Sequence, residues 1–136
     1  MQTLHHIGYV VKSIEEQAAG FVKALGAIWD QQIIHDPLQG AKVTFLSTPG
    51  GGDAQIELVE PAGSNSPVTR FLEKGGGLHH LCYEVADLAE HLKFMRTAGC
   101  VVVRAPMPAA AFQQRLIAWA WTREKLLLEF LEAAKI

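Results

Sequence analysis

The chain has 136 residues, of which 49% are hydrophobic and 19% are charged, and its formal net charge is -2. This balance excludes the strongly basic surface that binds nucleic acid or an anionic membrane. No apolar run approaches the roughly 18 residues needed to span a bilayer, and the first residues lack the features of a signal peptide, so we expect a cytoplasmic protein. Two cysteines, Cys82 and Cys100, do not make a disulfide framework.

The first half of the chain predicts the element order β-α-β-β-β. Residues 4–11 are rich in β-branched and aromatic side chains, which favours a strand. Ser13, with Glu16 three residues later, has the spacing of a helix N-terminal capping box, and Gly26 ends the same apolar periodicity. Three further strands are predicted at residues 27–35, 42–47 and 54–59.

A connector rich in Gly, Ser and Pro follows the first half. It runs from residue 61 to residue 77 and is the natural boundary between the two halves. One short helix is predicted in it, because Ser66 can serve as the N-cap and Pro67 suits the first helical position. Gly75, Gly76 and Gly77 end that helix.

The second half repeats the order of the first. Residues 78–85 align with residues 4–11, Asp87 with Glu90 forms a second capping-box spacing, and Gly99 ends the second helix. Both helices are amphipathic, so we expect the apolar face of each to pack on a sheet. The repeat predicts a duplicated supersecondary unit rather than a solenoid. Its remaining strands are predicted at residues 100–104, 116–121 and 126–131.

Each half contributes one His and one Glu at equivalent places, with the Glu about fifty positions after the His. The pairs are His6 with Glu57 and His80 with Glu129. Because successive side chains of a strand point to opposite faces, all four are predicted on the inner face of the sheet. The neighbouring histidines at positions 5 and 79 then lie on the opposite face as packing residues. We expect the other histidines at the surface and the tryptophans in the core or an interface, namely His35, His91, Trp29, Trp119 and Trp121.

Two carboxylates and two imidazoles facing inward are costly to bury without a compensating charge. A divalent cation would remove that cost. Imidazole with carboxylate suits Zn, Ni, Co, Mn or Fe, and four protein ligands leave two octahedral positions for water or substrate. The pattern therefore predicts one divalent metal ion, with the ligands His6, Glu57, His80 and Glu129, in a site that is open to catalysis.

The chain also resembles a known family. The segments His6-Ile7-Gly8, Ile56 to Pro61, Ser66 to Lys74, Gly77 to His80 and Leu128-Glu129 are similar to those of the vicinal oxygen chelate superfamily, and within it to the methylmalonyl-CoA epimerase branch. The resemblance implies an α+β fold in which two tandem βαβββ modules form one curved mixed sheet around a metal cavity. It implies a single domain over residues 1–136, with module one at about 3–61, the connector at 62–77 and module two at about 78–133.

An activity follows from that chemistry. The substrate would be a small acyl-thioester, such as an acyl-CoA, or a 2-substituted acid. A metal acting as a Lewis acid would stabilise the enolate that forms when the α-proton leaves. Glu129 is the favoured base, with Glu57 as the opposing acid or base. The first interpretation is therefore an epimerase or isomerase. The alternatives are a glyoxalase I-type lactoylglutathione lyase and a non-enzymatic ligand-binding protein, while an iron-dependent dioxygenase is disfavoured.

Two departures separate this chain from the family pattern. Some relatives have an acidic residue where this chain has Val43. The epimerases also tend to have a Gly-rich segment where this chain has Gln113, Gln114 and Arg115, which are the candidate substrate-binding residues. Arg115 could pair with a carboxylate or phosphate. Exposed aromatic residues such as Trp121 could bury in a homodimer, which is common in the superfamily.

Overall fold

The structure is a computed structural model that describes residues 2–50 and 52–135. Its elements are strands and helices in an α+β arrangement, in agreement with the predicted fold class. Two compact units can be distinguished. Residues 6–79 form one unit, and the residues from His80 onwards, with the start of the first strand, form the other.

Module one carries one long helix against a small sheet. β1 pairs in parallel with β5, β5 pairs antiparallel with β4, and both β2 and β3 pair antiparallel with β4. The strand order in this part is β2-β4-β5-β1. The elements are β1 (Thr3–Val10), α1 (Ile14–Leu25), β2 (Ile28–Trp29), β3 (Ile34–Asp36), β4 (Ala41–Ser47) and β5 (Gln55–Pro61).

Helix α1 begins and ends where the sequence predicts. The Ser13 side chain accepts a hydrogen bond from the backbone N–H of Glu16, and Gly26 adopts a left-handed φ of 61° at the C-cap. The apolar face of α1 packs on the outer face of the sheet. Ile56 and Leu58 flank Glu57 on β5 and point the other way, as strand alternation predicts, so they pack against the fully buried Ile14 and Ala18 of the helix. This packing leaves the opposite face of β1 and β5 for polar residues.

One strand prediction in module one was wrong. The segment predicted as a single strand over residues 27–35 is divided into the short strands β2 and β3. Gln31 has a positive φ of 64°, and the Asp30 side chain accepts a hydrogen bond from the backbone N–H of Gln32 at 2.9 Å. A side-chain oxygen that bonds to a nearby backbone N–H competes with the strand ladder, so the local turn interrupts the pairing.

The connector contains the short helix α2 (Thr69–Glu73), which begins later than predicted. Ser66 is not its N-cap, because Ser66 instead accepts a hydrogen bond from the N–H of Val68 in a turn before the helix. Gly76 is required at the end of the connector. A Cβ at this position would lie 2.9 Å from the carbonyl oxygen of Val10, and its φ is 70°.

Module two repeats the arrangement with a longer edge strand. β6 pairs in parallel with β9, and β8 pairs antiparallel with both β9 and β7, which gives the strand order β6-β9-β8-β7. β7 runs further than predicted and is irregular, with shifts in register on both sides of Arg104. The elements are β6 (Gly77–Val85), α3 (Leu88–Thr97), β7 (Val101–Ala109), a 3-10 helix (Ala110–Phe112), β8 (Arg115–Trp121) and β9 (Leu127–Glu132).

Helix α3 covers the outer face of its own sheet. Asp87 caps it by accepting a hydrogen bond from the backbone N–H of Glu90, as predicted. Leu128 and Phe130 of β9 face the helix, which confirms the predicted alternation. His91 was wrongly predicted at the surface: it is half-buried, and its ring lies 4.5 Å from that of Phe130. A half-buried site suits imidazole because the ring is largely apolar.

Within residues 2–50 and 52–135, no helix is both long enough and apolar enough to cross a membrane.

Candidate metal and catalytic site

In module one, the inner face carries His6 on β1 and Glu57 on β5. The imidazole Nε2 lies 3.4 Å from a carboxylate oxygen of Glu57, and both residues are buried, with 0% and 5% of their surface exposed. Gly8 lies opposite Glu57 in the parallel register. Because glycine has no side chain, it leaves space beside this His–Glu pair.

Module two places its own pair in the same way. The His80 Nε2 atom lies 3.2 Å from a Glu129 carboxylate oxygen, and both residues are buried. Cys82 lies opposite Glu129 in the register, at the position that Gly8 occupies in module one. Cys82 is fully buried and forms no disulfide with Cys100. Each predicted pair is therefore formed within its own module.

Each imidazole also contacts an aromatic ring of its own module. Phe45 of β4 lies opposite Glu57, and its ring centroid is 5.5 Å from that of His6. Trp119 of β8 lies opposite Glu129, at 4.7 Å from His80. Phe45 was not predicted as a site residue, and Trp119 was predicted in the core or an interface. The available signal was an aromatic residue directly opposite each Glu in the antiparallel strand that precedes it, Phe45 in β4 and Trp119 in β8.

The histidines that precede the two candidate ligands have the packing role predicted for them. His5 makes an edge-to-face contact with Phe112 at 5.2 Å, and His79 makes a similar contact with Phe71 at 4.8 Å. Both ring contacts lie away from the His–Glu pair of the respective strand. Side-chain alternation in β1 and β6 thus separates the candidate ligands from their neighbours.

The residues of the two pairs fit a metal ion by their chemistry. Imidazole nitrogen and carboxylate oxygen are ligands for Zn, Ni, Co, Mn and Fe. In both pairs it is Nε2 that faces the carboxylate, with the Nδ1 side of the ring left for contacts that orient it. Burial of both carboxylates and both imidazoles indicates a function for them, because such groups are costly to bury without a partner.

The predicted substrate-binding residues lie where β7 connects to β8. Gln113 and Gln114 are exposed, and both adopt positive φ values, 56° and 67°. Left-handed backbone is the conformation that glycine adopts most easily, so the two glutamines occupy positions that suit glycine. Arg115 begins β8, and its Nη1 donates hydrogen bonds to the Glu84 carboxylate at 2.9 Å and to the Glu132 carbonyl at 3.3 Å.

Two further positions complete the inner faces. Val43 is buried and lies opposite Val59 in the register of β4 and β5, so no carboxylate is available at this position. Glu84 lies four residues after His80 on β6 and therefore on the same face as His80. Strand alternation in the sequence also places Glu84 on this face, but its contact with Arg115 is visible only in the structure.

Comparison with known proteins agrees with this arrangement. Residues 5–119 match the family model described as the glyoxalase/bleomycin resistance protein/dioxygenase superfamily. The chain belongs to this superfamily. This confirms the resemblance noted in the sequence and the paired-module fold that it implies.

Three similar proteins are epimerases by name. An ethylmalonyl-CoA/methylmalonyl-CoA epimerase of Cereibacter sphaeroides is 36% identical over 77% of this chain and 77% of its own length. The mitochondrial methylmalonyl-CoA epimerase of Mus musculus is 34% identical over 63% of this chain, and the match spans only 47% of the mouse protein. The crystal structure of methylmalonyl-CoA epimerase from Mycobacterium tuberculosis has a TM-score of 0.83 at 26% identity, covering 97% of this chain and 88% of that one.

Proposed function

We propose that this superfamily member is a metal-dependent epimerase that acts on the α-carbon of a small acyl-CoA, in the manner of a methylmalonyl-CoA epimerase. One observation carries the proposal: a buried His–Glu pair recurs at equivalent places in both modules of a chain that is 36% identical to a named acyl-CoA epimerase. The shared ligand chemistry and the similarity over 77% of both chains support the same reaction class.

The first step of the proposal is that both pairs serve one divalent ion. His6, Glu57, His80 and Glu129 are the candidate ligand group, and all four are buried. Two nitrogen and two oxygen ligands favour Co, Ni, Mn, Zn or Fe. When bound, the ion would act as a Lewis acid on a substrate oxygen and stabilise negative charge that develops there.

The second step assigns the proton transfers to the two carboxylates. Glu129 removes the α-proton, and Glu57 delivers a proton to the opposite face of the same carbon, which inverts the centre. Val43 has no acidic side chain, so the chain lacks a base at that position, and the proton transfers depend on Glu57 and Glu129.

The third step assigns substrate binding to the β7–β8 connection. Gln113 and Gln114 are exposed and strained, and strained non-glycine residues persist where their side chains have a use. Arg115 is partly exposed and, within the described part of the chain, engages only its Nη1 atom. Its Nε and Nη2 groups remain for an anionic part of the CoA carrier. These three residues would hold the carrier while the acyl group reaches the carboxylates.

The proposal extends to the assembly of the protein. The chain would act as a single domain over residues 1–136 in the cytoplasm, as a homodimer. Support for a dimer comes from large apolar side chains on the surface of module two, such as Phe94, Val101 and Trp121, which are 64%, 60% and 41% exposed. Light scattering coupled to size exclusion would give the mass. A monomer at micromolar concentration would contradict the dimer.

The test of the reaction is α-proton exchange in heavy water. Purified protein, reloaded with Co²⁺ or Ni²⁺, is incubated with methylmalonyl-CoA and with ethylmalonyl-CoA, and deuterium in the substrate is followed by mass spectrometry. We expect exchange and racemisation with at least one of them. Exchange with neither, together with turnover of a hemithioacetal of glutathione, would replace the epimerase with a glyoxalase-type lyase.

Metal content is measured on the same preparations. His6→Ala and His80→Ala should lose the ion and the exchange activity, whereas His35→Ala, at an exposed position, should keep both. His79→Ala is the matched control for strand β6, since it lies one residue from His80 on the other face. If wild type and His80→Ala held equal metal after loading, a ligand role for the pairs would be ruled out.

A further inference from the structure

Trp119 of β8 lies on the same face of the sheet as the His80–Glu129 pair, and not in the hydrophobic core under helix α3. Its neighbours Ala118 and Ala120 are fully buried in the cluster under helix α3, and alternation sends Trp119 the other way. In the β8–β9 register it lies directly opposite Glu129. A side chain that only filled the core would point toward the helix.

The indole makes a specific contact with the His80 imidazole. The ring centroids are 4.7 Å apart, and the planes meet at 79°, which is an edge-to-face arrangement. Aromatic rings favour this geometry because the positive edge of one ring meets the negative face of the other. The rotation of a histidine ring about its last side-chain bond is otherwise loosely restricted, so a contact of this kind selects one ring orientation.

Module one has an equivalent edge-to-face contact between its imidazole and a different aromatic ring. Phe45 lies opposite Glu57, and its ring meets that of His6 at 5.5 Å and 71°. The recurrence is informative because β4 and β8 share few residues along their length. An aromatic ring beside the imidazole has been retained in both modules, although its size differs.

We propose that Trp119 is a positioning residue for the metal ligand His80, and that Phe45 has this role toward His6. This inference rests on the proposed function, because it assumes that His80 is a ligand. The indole holds the imidazole plane so that Nε2 faces the Glu129 carboxylate, as observed at 3.2 Å. Outer-shell residues that orient metal ligands change metal affinity by about 10- to 100-fold when they are removed.

The test compares Trp119→Ala with Trp119→Phe. Co²⁺ affinity is measured by competition with a chromogenic chelator, and unfolding of the metal-free proteins is measured in parallel. We expect the dissociation constant to rise about 10- to 100-fold for the alanine variant and to return to within about threefold of wild type for the phenylalanine variant, which copies module one. Trp121→Ala, two residues along the same face, should bind Co²⁺ like wild type.

A second measurement does not depend on the stability of the alanine variant. In a protein that retains Trp119 alone, made by Trp29→Phe and Trp121→Phe, Co²⁺ should quench most of the indole fluorescence. A variant that retains Trp121 alone should be quenched much less. Equal quenching in the two proteins would overturn the proposal, and so would unchanged Co²⁺ affinity in Trp119→Ala or no recovery with phenylalanine.

His80→Ala separates this proposal from the proposed function. If His80→Ala loses Co²⁺ binding and Trp119→Ala does not, the positioning role fails and the ligand assignment stands. If His80→Ala binds Co²⁺ like wild type, the ligand assignment fails and the positioning role fails with it.

Discussion

The two modules agree closely where they hold the His–Glu pairs. In each, the strand that carries the Glu also places a second carboxylate three residues later at the start of the module's own helix. The backbone N–H of Ile14 donates to Glu60 at 2.8 Å, and that of Leu88 donates to Glu132 at 3.0 Å. These contacts fix the long helix to the Glu-bearing strand in both copies.

The modules differ at the far end of the same inner face. Module two has the ion pair of Glu84 with Arg115, at 2.9 Å. The corresponding positions of module one, found by aligning the strands, are Val10 and Ala41, both buried and apolar. Module two also has the strained turn at Gln113 and Gln114 before β8.

This difference distinguishes the positions that hold candidate metal ligands from the positions that would contact the substrate. Ligands that serve one centre need the same scaffold in each copy, so the pairs and their supporting contacts are retained. A substrate without matching symmetry needs distinct surroundings, so the far ends diverge. Module two is therefore the half that we expect to recognise the polar carrier of the substrate.

The largest expected effect tests whether the two carboxylates have distinct roles. Glu129→Gln and Glu57→Gln each keep an oxygen ligand but lose the ability to accept a proton. We expect kcat for epimerisation to fall by about 10²- to 10⁴-fold in each. Exchange of the α-proton, measured from each pure epimer in heavy water, should be blocked from one epimer in Glu129→Gln and from the other in Glu57→Gln. Blocking of the same epimer by both variants would argue against two opposed bases.

The next prediction tests whether the Glu84–Arg115 pair, which module one lacks, contributes to substrate binding. The double variant Arg115→Ala with Glu84→Val gives module two the residues of module one. We expect KM for the acyl-CoA to rise about tenfold, since a hydrogen bond to a charged group contributes about 1.5–3 kcal/mol. The kcat value should change less than about twofold. Stability should fall by at most about 1 kcal/mol, because the pair is partly exposed.

A truncated thioester is the control for this prediction. The acyl-pantetheine analogue has no phosphate, so its KM should be the same for wild type and for the double variant. An equal rise in KM for the full and the truncated substrate would place Arg115 at the acyl group instead of the carrier.

A smaller effect tests the hydrogen bonds that Glu60 and Glu132 accept from the N-termini of the two helices. Glu60→Gln and Glu132→Gln replace a charged acceptor at a helix N-terminus with a neutral one. We expect each to lower the free energy of unfolding by about 1 kcal/mol in urea titrations, with similar values for the two modules. Glu90→Gln is the control, because its carboxylate is exposed and its only ion pair within residues 2–50 and 52–135 is with Lys93 on the same helix. A loss in one module alone would show that the supporting contacts have diverged too.

Local rules in the sequence were sufficient for much of the fold and for the four candidate ligands. Ser13 and Asp87 cap their helices as predicted, since a capping box depends on residues three positions apart. Strand alternation correctly separated His6 from His5 and His80 from His79, and it placed Leu58 and Phe130 under the helices.

Other features depend on contacts between distant residues, and these could not be predicted. The pairing of Arg115 with Glu84 joins residues 31 positions apart and depends on the strand order β6-β9-β8. The division of the predicted strand at residues 27–35 depends on a turn at Gln31 that propensity does not indicate. His91 was placed at the surface because its contact with Phe130 forms only once α3 lies on β9.

The smallest effect tests a difference between the two helices themselves. His91 of α3 aligns with Gln17 of α1, whose side chain accepts hydrogen bonds from the N–H groups of Lys12 and Ser13. Burial lowers the pKa of His91 below its usual value of 6.5. The unfolded chain therefore binds a proton more readily than the folded protein, and the free energy of unfolding falls as pH drops below about 6.5.

His91→Gln gives α3 the residue of α1 and removes this titration. We expect the stability difference between the variant and wild type to shift in favour of the variant between pH 7.5 and pH 5.5, as measured by urea unfolding at a series of pH values. Comparing the two proteins at each pH cancels the titration of the carboxylates and of the other histidines, which both proteins share. A difference that stays constant over this range would mean that His91 has the same proton affinity in the folded and unfolded chains. In that case its contact with Phe130 would be one of packing alone, and the two helices would differ in composition without differing in their response to pH.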